Sequence, residues 1–275
     1  MDASREARGA KAEEQWTMGR SMLARPAAPR VTTNLRAVRR LFEASGDGFR
    51  AACRWPRAAE AYVQAADCEL RLDRPEAAAS FLADAGFAAL HADPSAACGY
   101  FSRATERFVL CGRSRAAAAL QLRVADVHES DLALEDAAAA ACLAADCFQR
   151  DLDLPSTCWA AHRAGELRVR AGDFASARAC FDRAARTARD HNLLKFRCPS
   201  LLLDVALCAL ASADLVDTAA AVEAAAKEDA VFATGRERRF MLDLIDAARG
   251  YDPDAFMDHC WNFDAARLLS PAELR

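Results

Sequence analysis

The sequence predicts an all-α protein. The expected fold is a right-handed solenoid of helical hairpins, in which antiparallel helices form a twisted sheet, followed by a small C-terminal helical bundle. Three observations predict it. An Ala-x-x-x-aromatic-x-x-Ala module recurs about every 40 residues, as in arrays of helical hairpins. Apolar residues recur at helical spacing, and no segment shows the apolar–polar alternation of a half-buried strand. Proline, glycine and aspartate separate segments of helix length.

The repeated module places a small residue at each end and a ring one helical turn after the first. Small residues seven apart let two helices approach closely, and the ring fills the space between them. Hairpin arrays of this kind usually hold other proteins rather than catalyse reactions. The copies are Ala58, Tyr62 and Ala65; Ala97, Phe101 and Ala104; Ala177, Phe181 and Ala184; and a degenerate copy, Ala137, Ala141 and Ala144.

Residues 1–30 form a separate, variable segment. Charged residues dominate positions 5–14, and Pro26 and Pro29 argue against a helix at its end. The first half is either a helix or partly disordered. Its apolar cluster is either a fragment of the core or a membrane-touching loop, and the residues concerned are Met18, Met22 and Leu23.

Helical spacing begins at Asn34, and the glycines of the Ser45–Gly48 segment are expected to weaken or kink this first helix. Short turns then separate further helices. The expected helices lie near 58–72, 75–90, 95–111, 114–130, 135–150, 156–171, 174–191, 197–212, 215–229, 236–248 and 252–268. The expected organisation is the segment 1–30, a helical repeat array over 31–230 and a C-terminal cap over 231–275.

Composition argues against several classes of partner and location. The net charge of −4 and the pI of about 5.8 give no general attraction to nucleic acid, so no nucleic-acid partner is expected. The eleven cysteines include no C-x-x-C pair, which favours small buried hydrophobic groups in a reducing compartment. The N-terminus lacks the apolar stretch of a secretory signal, and no run reaches the ~18 apolar residues of a membrane span. A cytoplasmic location is expected.

No pattern in the sequence predicts catalysis. The five histidines form no H-E-x-x-H motif, and neither a glycine-rich phosphate loop nor a G-x-S-x-G motif occurs. Asp243 and Asp246 lie three residues apart on a helix and indicate a solvated face. We therefore expect no catalytic residue, no metal and no cofactor.

Arginines cluster in the central repeats and allow two interpretations. They either solvate helix faces, or they form a basic strip that faces an acidic helical partner. Repeat geometry aligns residues from successive hairpins, which favours a strip. The arginines are Arg103, Arg107, Arg113, Arg115, Arg123, Arg163, Arg168 and Arg170.

Collinear segments over about residues 34–269 resemble the soluble NSF attachment proteins. The segments that carry the resemblance are 49–55, 58–66, 81–86, 92–94, 112–113, 124–129, 193–196, 206–208, 254–256 and 263–264. The resemblance implies a non-enzymatic adaptor in membrane traffic, peripherally associated with membranes. Such proteins coat the SNARE four-helix bundle left after membrane fusion and recruit the AAA+ ATPase NSF, which takes the bundle apart.

The resemblance also implies roles for individual residues. It assigns SNARE binding to Arg113 and Arg163, whereas two family lysines on the same face are replaced by Ala119 and Trp159. The cations that would compensate are Arg115, Arg123 and Lys195. ATPase recruitment falls to Asp246 and to the penultimate Leu274, and the membrane-touching loop of the family corresponds to Met18, Met22 and Leu23.

An alternative function stays open at this stage. A tetratricopeptide-like (TPR-like) scaffold of another pathway would keep the hairpin architecture without the partners. Two observations favour this alternative. The two family lysines are replaced, and the acidic patch at Asp246 is reduced because Arg249 and Gly250 occupy its following positions. The stricter 34-residue period of tetratricopeptide repeats is not met.

Overall fold

The computed structural model describes residues 2–24, 31–189, 191–212 and 214–268. These residues form fourteen α-helices and one 3-10 helix, without a β-strand, so the all-α prediction is confirmed. The helices are α1 (Asp2–Ala24), α2 (Val31–Ala51), α3 (Trp55–Arg71), α4 (Pro75–Ala89), α5 (Pro94–Leu110), α6 (Ser114–Ser130), α7 (Leu134–Arg150), α8 (Leu154–Ala171), α9 (Phe174–Arg189), the 3-10 helix Lys195–Arg197, α10 (Cys198–Ala211), α11 (Leu215–Glu228), α12 (Ala230–Thr234), α13 (Arg236–Arg249) and α14 (Pro253–Leu268).

The chain divides into two compact units, Met1–Asp151 and Leu152–Arg275. Within each unit, every helix packs against the one before it and the one after it. Of the two alternatives for the first half of the N-terminal segment, the structure supports the helix. Residues 2–24 form α1, which packs against α2. The domain boundaries expected at residues 30 and 230 stay predictions.

Aspartates cap the N-termini of several helices, and residues with a left-handed backbone conformation follow several C-termini. The Asp93 and Asp153 carboxylates accept hydrogen bonds from the backbone N–H groups of Ala96 and Ser156, three residues on, which caps α5 and α8. Gly112 and Gly172 end helices with positive φ, a conformation that glycine adopts without steric cost. Between the helices expected at 215–229 and 236–248, the structure has a further short helix, α12, which Asp229 caps.

Ion pairs at a spacing of about 40 residues connect alternate helices within each unit. In the first unit, α3 is joined to α1, and the residue before α6 is joined to α4; in the second unit, α9 is joined to α11. The pairs are Arg57–Glu13, Arg113–Glu76, Arg178–Asp217 and Arg189–Glu228, with sequence separations of 44, 37, 39 and 39. Such surface pairs contribute little to stability. They do report that side chains one repeat apart are neighbours in space, as the hairpin model requires.

Each aromatic ring of the module packs on a glycine of the preceding helix. A Cβ placed on Gly46, Gly86 or Gly165 would lie 2.7, 2.5 or 2.5 Å from the ring of Tyr62, Phe101 or Phe181, respectively. The glycine stands 15 or 16 residues before its ring. In the degenerate module the ring is replaced by Ala141, and Ala125 stands 16 residues before it. Where the module has a ring, the residue 15 or 16 positions earlier is therefore glycine, the smallest residue. Where the module has alanine instead, the earlier residue is also alanine.

The helix expected from Asn34 continues through its glycines. α2 is one uninterrupted helix, and its two glycines permit close contacts instead. A Cβ on Gly48 would lie 2.8 Å from the Cβ of Ala12 in α1, and Gly46 lies under Tyr62. The Tyr62 hydroxyl donates a hydrogen bond to Oδ1 of Asp47 at 2.8 Å. Burial, with this hydrogen bond, raises the pKa of Tyr62, so the phenol stays protonated.

Gly86→Ala should lower the free energy of unfolding by about 1–3 kcal/mol, because the new methyl group would overlap the ring of Phe101. Gly99→Ala is the matched control in the neighbouring helix. Its Cβ would meet nothing within 4 Å, so it should stabilise the protein by about 0.5–1 kcal/mol through helix propensity alone. Urea denaturation followed by far-UV circular dichroism measures both. Equal effects of the two substitutions would contradict the packing described.

Candidate functional site

Three exposed arginines of the first unit lie on and beside α6. Arg113 directly precedes the helix, after the left-handed turn at Gly112. Arg115 and Arg123 are eight residues apart and exposed, while Ala118 and other small apolar side chains on the opposite side are buried. An eight-residue separation exceeds two full turns by about 80°, so Arg115 and Arg123 share one broad face of the helix without pointing the same way. Three of the sequence-predicted cations therefore lie within one helix and the turn that precedes it.

Arg113 and Arg123 take part in surface ion pairs. The Arg113 guanidinium lies 2.7 Å from Oε1 of Glu76 in α4, and Arg123 lies 3.5 Å from Oδ2 of Asp126. All four side chains are largely exposed. Because exposed pairs contribute at most about 1 kcal/mol, an acidic partner can compete for both guanidinium groups.

Arg163, in the second unit, lies beside an exposed tryptophan. Its guanidinium is 5.8 Å from the centre of the Trp159 ring, one helical turn earlier in α8. The Trp159 side chain is 46% exposed. Tryptophan and arginine are among the residue types most enriched at the positions that dominate binding energy in protein interfaces. Trp159 thus presents an aromatic surface beside a cation.

His162 fixes the same stretch of α8 from its other side. Its Nε2 atom lies 3.3 Å from Oδ2 of Asp204 in α10, and its Nδ1 atom lies 3.7 Å from Oε1 of Glu166. Its ring is tilted against Phe181, with centroids 5.4 Å apart. These contacts connect α8 to α9 and α10, so the exposed face of α8 has a rigid support.

Lys195 differs from the four arginines in its setting. It lies in the 3-10 helix between α9 and α10 rather than on a helix face. Its Nζ atom is 5.5 Å from the centre of the exposed Phe196 ring. Arg163 and Lys195 both belong to the second unit, whereas the other three cations belong to the first.

An acidic and apolar surface on α14 was missed by the sequence analysis. Asp254 and Asp258 are exposed one turn apart, and so are Met257 and Trp261. The stacked rings of Phe240 and Phe263, with centroids 4.2 Å apart, hold the helix on α13. The i, i+4 spacing of both pairs was a signal that could have revealed this face. The α14 surface, as we call it, consists of Asp254, Met257, Asp258 and Trp261.

The other predicted C-terminal residues have different outcomes. Asp246 is exposed at the end of α13, and its Oδ1 atom lies 3.7 Å from Arg249, so part of its charge is compensated. Leu274 lies outside the described residues.

The predicted membrane-contact residues lie in helix α1. Met18 is 57% exposed, whereas Met22 and Leu23 are half-buried. Leu23 lines a cavity of about 580 Å³ together with Val63 of α3 and Tyr100 of α5. In the described part of α1, Met18 is therefore the most exposed of the three.

The thiols behave as apolar groups. Seven of the eleven cysteines are buried. Burial raises the pKa of Cys68, Cys198 and Cys208 to about 11, so these thiols stay protonated at neutral pH. Across the described residues, no group of three or more His, Cys, Asp or Glu is placed to hold a metal ion. Likewise, no described helix combines the length and apolar character needed to cross a membrane.

Comparison with known proteins identifies the family. The model of the family "Soluble NSF attachment protein, SNAP" matches residues 11–271. The probable vesicular-fusion protein sec17 homolog of Schizosaccharomyces pombe is 29% identical over 230 residues, which cover 83% of this chain and 80% of the relative. The alpha-soluble NSF attachment protein of Mus musculus is 25% identical over 230 residues, covering 83% and 78%. Among solved structures, BtubC (BKLC) from P. vanneervenii is similar at 15% identity and a TM-score of 0.39, covering 84% of this chain and 92% of that chain. The family model spans nearly the whole sequence, including both compact units, and on that match the chain belongs to the soluble NSF attachment protein family.

Proposed function

We propose that this protein is an adaptor that binds assembled SNARE four-helix bundles and recruits an NSF-type AAA+ ATPase for their disassembly in vesicle-mediated transport. The observation that carries the proposal is the family match over residues 11–271. The names of two relatives, a vesicular-fusion protein and an NSF attachment protein, agree with it. The protein itself performs no chemistry in this scheme and acts at membranes from their periphery.

Charge complementarity supports the binding half of the proposal. Each unit by itself offers cations to an acidic helical partner: Arg113, Arg115 and Arg123 in the first unit, and Arg163 beside Trp159 in the second. The contacts of exposed cations are screened by salt, with a Debye length of about 8 Å at physiological ionic strength. Binding should therefore weaken as salt is added, while the contact through Trp159 should be less sensitive.

The recruiting half of the proposal rests on the C-terminal helices. We assign ATPase contact to Asp246, to the α14 surface and to Leu274. The carboxylates would attract a basic partner over a distance, and the exposed tryptophan and methionine beside them would bind it through apolar contact. A basic patch on an ATPase is the complementary surface.

Binding to an assembled SNARE bundle at low salt is the first test of the function. The folded protein should be retained by the immobilised bundle and released as salt rises. A folded protein that binds no bundle at low salt, with several SNARE sets tried, would overturn the proposal in favour of a TPR-like scaffold that serves another pathway.

Asp254→Asn combined with Asp258→Asn should reduce stimulation of the ATPase several-fold, while bundle binding persists. The reduction corresponds to a loss of about 1 kcal/mol or more in the interaction with the ATPase. The physical reason is the loss of two carboxylates from the α14 surface. Steady-state ATPase assays on bundle-bound adaptor measure the effect. Glu106→Gln with Glu135→Gln, which replaces exposed acids of α5 and α7, is the control with the same change in charge. An equal loss in the control variant would show that only net charge matters, and would contradict the assignment.

A further inference from the structure

Hydrogen-bond donors line the cavity between α1, α3 and α5 in the first unit, which we call the α1–α5 cavity. Its volume of about 580 Å³ lies within the range of about 300–1,000 Å³ that small-molecule sites occupy. The polar side chains that line it are Trp16 and Arg20 of α1, Glu60, Gln64 and Arg71 of α3, and Tyr100 of α5. Five of these six side chains can donate hydrogen bonds, so the cavity is complementary to a molecule rich in acceptor oxygens.

Trp16 forms a fixed wall of the α1–α5 cavity. It is 6% exposed, and its ring lies edge-on to that of Phe42, with centroids 5.3 Å apart. The Arg57 guanidinium lies 5.0 Å from the centre of the Trp16 ring. Within the part of the chain that the structure describes, the indole N–H of Trp16 donates to no residue. Because the N–H of a buried tryptophan normally has an acceptor, this donor suits an oxygen of a molecule in the cavity.

Arg20 and Arg71 are available to a bound anion. Both side chains are exposed, and neither forms an ion pair or a hydrogen bond with another described residue. The lining carboxylate, Glu60, is already paired with Arg57 at 3.0 Å. Asp67, one turn before Arg71 on α3, does not line the cavity and forms no ion pair with that arginine.

The balance of charge distinguishes the α1–α5 cavity from three other cavities formed by described residues. Two arginines and one carboxylate line the α1–α5 cavity, whereas carboxylates equal or outnumber arginines in each of the others. The charged lining residues of those three are Arg170, Glu166 and Asp204; Arg178, Arg186, Asp182 and Glu228; and Arg74 and Glu76. Of the four cavities, the α1–α5 cavity is therefore the one that favours an anion.

We infer that the α1–α5 cavity binds a phosphorylated polyol, whose phosphate groups contact Arg20 and Arg71. Guanidinium groups bind phosphate through strong, charge-assisted hydrogen bonds. The neutral donors of Trp16, Gln64 and Tyr100 suit the hydroxyl oxygens of the same molecule. A nucleotide fits less well, because the Trp16 ring is 6% exposed and has little surface left for a stacked base. An inositol phosphate carries both kinds of group, either free in solution or as the headgroup of a lipid.

Isothermal titration calorimetry with myo-inositol trisphosphate tests the inference on the full chain. The wild type should bind one molecule of the trisphosphate, and bind it more tightly than inorganic phosphate. Arg20→Gln combined with Arg71→Gln should weaken this binding at least tenfold, because two charge-assisted contacts are lost. Tyr100→Phe, which removes one neutral donor, should weaken trisphosphate binding several-fold and leave the binding of inorganic phosphate unchanged.

Arg36→Gln combined with Arg40→Gln is the control with the same change in charge, because both arginines are exposed on α2 and neither lines the cavity. The control should bind the trisphosphate as the wild type does, and circular dichroism verifies that each variant is folded. The inference is overturned by unchanged binding in the Arg20→Gln, Arg71→Gln variant or by an equal loss in the control. It is also overturned if the folded wild type binds neither the trisphosphate nor the lipid headgroup.

Co-sedimentation with phosphatidylcholine vesicles, with and without phosphatidylinositol bisphosphate, distinguishes the two sources of the headgroup. Vesicle binding that requires the bisphosphate and is displaced by free trisphosphate would identify a lipid. Trisphosphate binding without such vesicle binding would identify a soluble ligand, and both outcomes support the site if the Arg20→Gln, Arg71→Gln variant loses the interaction. Vesicle binding that persists in this variant, with no binding of free trisphosphate, would assign the contact to another surface and refute the site.

Binding to the SNARE bundle separates this inference from the proposed function. The first-unit cations assigned to the bundle, Arg113, Arg115 and Arg123, do not line the α1–α5 cavity. The Arg20→Gln, Arg71→Gln variant should therefore bind an assembled bundle in solution as tightly as the wild type. Loss of bundle binding with trisphosphate binding unchanged would assign both arginines to the protein partner and refute the polyol site, while leaving the adaptor function supported.

Discussion

Replacing Phe181 by alanine should lower the free energy of unfolding of the second unit by about 3–5 kcal/mol. Phe181 is buried with Ala177 and Cys208, and its ring lies on Gly165 of α8 and against His162. Its loss would leave a cavity between α8, α9 and α10 that rigid helices cannot close. Urea denaturation of the full chain, followed by far-UV circular dichroism, measures the shift.

The complementary substitution tests the cause of that loss. Gly165→Leu alone should also destabilise, because even a Cβ at this position would lie 2.5 Å from the ring. Combined with Phe181→Ala, the leucine should fill part of the vacated volume. The double variant should then be more stable than the sum of the two losses predicts, by about 1 kcal/mol or more. Simple additivity would contradict the account of ring-on-glycine packing.

Reversing two cations of α6, Arg115→Glu with Arg123→Glu, should reduce affinity for an assembled SNARE bundle by at least tenfold, since like charges facing each other across an interface cost several kcal/mol. Both side chains are exposed, so the helix itself should remain folded. Titration of the bundle at two salt concentrations measures the loss. The deficit should shrink at high salt because the contacts are screened.

The matched control reverses two exposed cations of the same unit that lie elsewhere, Arg36→Glu in α2 and Arg71→Glu in α3. Net charge changes equally in both variants. If the control loses as much affinity as the α6 variant, binding depends on net charge alone, and the assignment of α6 is wrong.

The all-α fold was predictable because its signals are local in the sequence. Tyr62, Phe101 and Phe181 recur at the repeat period, and the ion pairs between alternate helices have the same spacing. The role of the glycines was not predicted, because a glycine within a helix is also a weak point by propensity. Only the register between two helices distinguishes Gly46, which accommodates a ring, from Gly99, which faces open space.

The candidate site was predictable only in part. The repeat spacing predicted helical hairpins, and Arg115 and Arg123 are exposed on α6, as both interpretations of the central arginines require. The repeat spacing did not predict that Lys195 lies in a turn beside an exposed ring, because residues exposed at a helix end produce no periodic pattern in the sequence. The resemblance identifies Trp159 as a replacement for a family lysine, but its contact with Arg163 could be recognised only in the folded helix. The separate roles of these side chains remain proposals.

Reconstituted disassembly tests the central claim most directly. An assembled SNARE bundle with fluorescent labels on two of its helices, an NSF-type ATPase and ATP are mixed with this protein, and the separation of the labels is followed. We predict that disassembly depends on the protein and slows in the Arg115→Glu, Arg123→Glu variant. No disassembly by the folded wild-type protein, under conditions where a known family member supports it with the same ATPase and bundle, would contradict the adaptor function.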